Sequence, residues 1–142
     1  MEDKIVLSES FLDHLPITIG INEFGKFVVK YSSENIKLLN FAEKIGVIRL
    51  LEIDYYKFER TITKMVENFL SIRPSVSYVE EFPYEQIVVE ALHSERDHWI
   101  ELAFNWMEAL GVYNFSDDIL AIITNKRISQ RIRHKIVKLG NK

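Results

Sequence analysis

The stretch Glu85–Gly111, "EQIVVEALHSERDHWIELAFNWMEALG", decides the fold. Its apolar residues fall into two sets, Ile87, Val88, Ala91 and Leu92, then Trp99, Ile100, Leu102, Ala103, Trp106, Met107 and Leu110. Steps of three and four residues bring each set to one face of a helix, and the polar "HSERD" between them is too short for more than a turn. Pro83 suits the first turn of the first helix, because its missing N–H has no helical partner there anyway. Ser94 reads as the N-cap of the second, with Asp97 three residues on in the acidic position of a capping box. Gly111 then stops the helix, since glycine enters a left-handed turn at no steric cost. Two short helices joined this way cannot bury both apolar faces on each other, so the stretch demands a neighbour of the same kind.

That neighbour follows. "DDILAIITNKRISQRIRHKIVKLG", Asp117–Gly140, carries Ile119, Leu120, Ile122 and Ile123 on a short helix ending near Asn125. Ile128, Ile132, Ile136, Val137 and Leu139 lie on a further helix that stops at Gly140. Asp117 and Asp118 sit after Ser116, where the positive end of a helix dipole favours acids. Laying Ala109–Gly111 on Lys138–Gly140 aligns the two pairs, a repeat of about 30 residues of the kind that stacks unit on unit. The two stretches resemble HEAT-type repeats, with Trp106 bulkier than the usual inner residue. The resemblance implies antiparallel helix pairs stacked over residues 83–140 of a mainly α chain.

The first half supplies a different pattern. "ITIGINEFGKFVVKY" contains two β-branched runs, Ile17 to Ile21 and Lys26 to Tyr31, around Asn22-Glu23-Phe24-Gly25, which predicts a β-hairpin with glycine at a positive φ. Ile36, Leu39, Ala42 and Ile45 recur at helical spacing between Ser33 and Gly46, predicting a short helix. Leu51, Tyr55, Phe58, Ile62, Met65, Val66 and Phe69 predict an amphipathic helix of about 17 residues. It ends before Pro74, and "SIRPSVSYVEEFP" reads as a connector. The expectation is one domain over 1–142, with the hairpin and two helices in 1–73 and the two helix pairs in 83–140.

Composition narrows the function. The chain has 142 residues, 47% hydrophobic, enough for its own core. A net charge of −3 argues against binding nucleic acid by general phosphate attraction, which draws on a strong basic excess. With no cysteine there is no disulfide, thiolate nucleophile or cysteine-held zinc. The opening "MEDKIVLSES" lacks the basic start and apolar core of a signal peptide, and no run approaches the length of a membrane span. A cytoplasmic, non-membrane protein is the expectation.

Catalytic signatures are missing: the sequence contains no GxxxxGK[ST], GxGxxG, HExxH or GxSxG. The cluster His93, Glu95, Asp97, His98 and Glu101 has spacings that bring ligands together on a helix. The capping reading competes with this, because it puts His93 outside the helix and Glu95 and Asp97 in its first turn, where exposed N–H groups favour carboxylates. Ser129 and His134 read as polar surface rather than as a nucleophile and its base. No enzyme, metal or cofactor is expected.

Two charged surfaces remain. Glu80, Glu81, Glu85, Glu95, Asp97 and Glu101, in a region with Tyr84 and other aromatics, would suit a basic protein partner, since aromatic anchors supply binding energy and complementary charge speeds association. Arg127, Arg131, Arg133 and Lys135 form a basic alternative on the last helix. Small helical-repeat chains with a variable N-terminal part resemble bacterial immunity proteins, including those paired with contact-dependent growth-inhibition toxins. That resemblance implies a non-catalytic module neutralising a basic toxin such as a nuclease. The alternative is a repeat scaffold or regulatory adaptor whose basic C-terminal helix holds a protein or nucleic acid.

Overall fold

A computed structural model of the chain describes residues 5–10, 17–31, 37–39 and 47–141. The described residues are mainly helical, with an antiparallel sheet near the N-terminus. They divide into two compact units that interleave along the chain: Met1–Gly46 with Lys57–Phe82, and Val47–Tyr56 with Pro83–Lys142.

In the first unit the expected hairpin is the centre of a larger sheet. Strands β1 (Ile5–Ser10), β2 (Ile17–Asn22), β3 (Phe27–Tyr31) and β4 (Lys37–Leu38) form a meander in sequence order, every pair antiparallel. The β2–β3 turn is built as its sequence demands. Asn22 folds its side-chain oxygen back to accept the N–H groups of Phe24 and Lys26, and Gly25 takes φ +79°. Ile17, Ile19, Ile21, Phe27, Val28 and Val29 are buried. Helix α1 (Tyr55–Ile72) buries Phe58, Ile62, Met65 and Phe69, the helical stripe read from the sequence.

Two expectations are corrected here. Where a short helix was expected between Ser33 and Gly46, Lys37 and Leu38 pair with Val29 and Val28 as strand β4. The open edge of β3 offers them backbone partners, and four apolar residues at helical spacing do not outweigh that ladder. The other residues of that expected helix lie outside the described ones, apart from Leu39, whose N–H donates to the Phe27 carbonyl. The amphipathic helix also does not begin at Leu51. Residues Ile48–Glu52 form a 3-10 helix, Ile53 is extended, and α1 starts after Asp54.

The second unit holds the helix pairs. α2 (Tyr84–Leu92) pairs with α3 (Asp97–Leu110), and α4 (Ser116–Ile123) with α5 (Gln130–Gly140). A 3-10 turn at Val112–Phe115 joins the pairs. α3 packs on α5 and α2 on α4, so the pairs are stacked, and the 3-10 helix Ile48–Glu52 lies against α2 and α3. Gly111 stops α3 at φ +102° and its N–H donates to the Met107 carbonyl. Trp106 is fully buried with Ile100, Ala103 and Met107, whereas Trp99 and Leu110 are only partly covered.

Candidate functional site

The turn that carries the histidines and acids differs from the capping reading. α3 starts at Asp97, with Arg96 before it and no side-chain cap of its own. Ser94 belongs to the preceding turn: its hydroxyl donates to the Ala91 carbonyl and accepts the Arg96 N–H. Glu95 adopts φ +59°, rare for a residue with a side chain, and this delays the helix to Asp97.

The acids of this turn and helix face the second pair. The Glu95 carboxylate takes Arg127 at 3.4 Å, and Asp97 accepts the Ser129 backbone N–H at 3.2 Å. Glu101 accepts from Arg131 at 2.7 Å through one oxygen and from Lys135 at 3.0 Å through the other. Glu95, Asp97 and Glu101 thus meet Arg127, Ser129 and Arg131 with Lys135, both series running in chain order, so α3 and α5 lie parallel, as second helices of stacked pairs must. Ser129 is the N-cap of α5 and accepts the Ile132 N–H. Hydrogen bonds from the Ser129 hydroxyl and then its N–H hold the Asp97 carboxyl below its usual range. The Arg131 hydrogen bond, then that of Lys135, does the same for Glu101.

Both carboxyls have folded pKa values below their unfolded ones, so their stabilisation is present above the ordinary carboxylate pKa and is lost as pH falls through the folded values. Thermal unfolding followed from neutral pH downward should therefore weaken below roughly pH 4. Asp97→Asn and Glu101→Gln should flatten that limb. An unchanged acid limb in both variants would remove the array from the pH response. At neutral pH each exposed ion pair is worth only about 0.2–1 kcal/mol, so the array sets the register of the stack more than its stability.

Three of the four basic residues read from the sequence, Arg127, Arg131 and Lys135, are therefore paired with two of the acids, Glu95 and Glu101. Of the acidic set, Glu95, Asp97 and Glu101 are engaged with the second pair. Tyr84 packs edge-on to Tyr55 and tilted against Trp106. Glu85 is exposed in the first turn of α2. Glu80 and Glu81 lie in the first unit. Glu80 accepts the Phe27 N–H at 2.7 Å, standing in for a strand neighbour, whereas Glu81 is exposed. Replacing Glu80 by alanine should cost about 1.5–3 kcal/mol, the range for a hydrogen bond to a charged group. Glu81→Ala should be close to neutral, and equal midpoints for the two variants in denaturant would refute this role of Glu80. Of the basic set, Arg133 has its Nε buried without a hydrogen-bond partner among the described residues.

The histidines are drawn apart. His93 meets Asp118 at 2.7 Å, joining the end of α2 to the first turn of α4, and His98 lies edge-on to the Trp99 ring. Among the described residues, no three histidine, aspartate or glutamate side chains converge as a metal-binding group, and no helix is long and apolar enough to cross a membrane.

One surface of this unit was not read from the sequence. Beside α4 and the end of α5 lies an open groove of about 810 Å³. Its floor includes the buried Ile119 and Leu139 and its sides the half-buried Val112 and Ile123. Tyr113 and Leu120 stand on its rim, 79% and 61% exposed. Glu108 and Asp117 are the charged residues among its described lining. A sequence signal exists in "SDDILAII", apolar at Ile119, Leu120, Ile122 and Ile123, a wider stripe than one packed face of an eight-residue helix requires. Compared with known proteins, the chain matches no family model, and no curated protein or solved structure is similar to it at a significant level.

Proposed function

We propose that this chain is a non-catalytic protein-binding module, acting in the cytoplasm, that neutralises a basic protein partner by covering its working surface. A nuclease toxin is the kind of partner the resemblance to immunity proteins implies. The observation that carries the reading is the groove beside α4: its apolar floor, exposed Tyr113 and Leu120 and acidic lining are the elements of a protein-binding patch. Glu81 and Glu85, both exposed, supply further negative charge in their respective units.

The scaffold reading, in which the basic last helix grips a protein or nucleic acid, draws less support. Arg127, Arg131 and Lys135 are already paired with Glu95 and Glu101, so a polyanion would have to displace those carboxylates.

A pull-down with the full chain, followed by identification of the captured protein, tests the proposal. A basic partner is expected, and Glu85→Lys and Asp117→Lys should each slow association and weaken its salt dependence while leaving helicity unchanged. A partner whose binding depends instead on Arg131, Arg133 and Lys135, or turnover of a substrate by the chain alone, would overturn it.

A further inference from the structure

We draw no further inference here: the strongest candidate, the apolar groove beside α4 with Tyr113 and Leu120 on its rim and Asp117 at the helix N-terminus, belongs to the site already described, and nothing in the structure shows what covers it.

Discussion

Replacing Trp106 by alanine is expected to destabilise the helical unit by about 3–5 kcal/mol, the range for removing a fully buried aromatic side chain. Trp106 has no exposed surface. Its ring lies edge-on to Tyr55 at 5.6 Å and tilted against Tyr84 at 6.1 Å. Its indole Nε1 donates to the Ile53 carbonyl at 2.9 Å. Truncation empties that space and leaves the carbonyl without its donor. Trp106→Phe separates the two losses: most of the apolar volume stays, and the missing hydrogen bond should cost about 1–3 kcal/mol. Denaturant unfolding read by circular dichroism checks both. A Trp106→Ala variant with the parent's midpoint would show that the indole does not hold this core.

Gly25→Ala is expected to disrupt the sheet unit. The residue sits at φ +79°, where a side chain is strained, and an added Cβ would lie 2.6 Å from the Tyr78 carbonyl oxygen and 3.3 Å from Val76 Cγ1. Backbone strain alone amounts to about 1–3 kcal/mol, and the contact with the Tyr78 carbonyl adds to it because a backbone oxygen cannot swing aside as the end of a flexible side chain can. The turn is also tied at its carbonyl, which accepts the Glu80 N–H at 3.1 Å. Asparagine tolerates a positive φ better than alanine but brings the same Cβ. If the clash dominates, Gly25→Asn is nearly as unstable as Gly25→Ala, measured by midpoint and by hydrogen exchange at the Phe27 and Glu80 amides. Full recovery with asparagine would assign the cost to φ alone, and a stable Gly25→Ala would refute both terms.

The helix pairs were legible because their apolar residues repeat at the helical period and glycine marks the end of α3. The hairpin was legible from Asn22 to Gly25, where turn chemistry is local. Strand β4 was not. Lys37 and Leu38 are strand because β3 is open beside them, and that neighbour is invisible in a window read for period alone. The start of α3 was misplaced for a similar reason. Ser94 has the right identity for a cap, but Glu95 turns left-handed, and Asp97 instead holds Ser129, a residue of the next pair. The charged surfaces showed the same limit. Glu101 on one helix and Arg131 and Lys135 on another each look like free surface when their own helix is read alone. Superposing the two repeats on Gly111 and Gly140 lays Glu101 on Gln130, next to Arg131, so comparing charges across them would have found that one pair.

The interleaving of the two units governs how the chain can be cut. The helical unit takes Val47–Tyr56 from between the two parts of the sheet unit, and Ile53 in that segment receives the Trp106 indole. A fragment starting at Pro83 would contain every residue of the four paired helices and still lack the carbonyl that anchors their largest buried side chain. Deleting residues 47–56 to isolate the sheet would remove Tyr55 and Tyr56, the first two residues of α1, as well. During synthesis the segment leaves the ribosome before any of the paired helices exists, so its apolar residues Leu50, Leu51 and Ile53 must wait for partners translated some fifty residues later. Limited proteolysis between Glu52 and Asp54 should thus release the stability of helices far downstream of the cut.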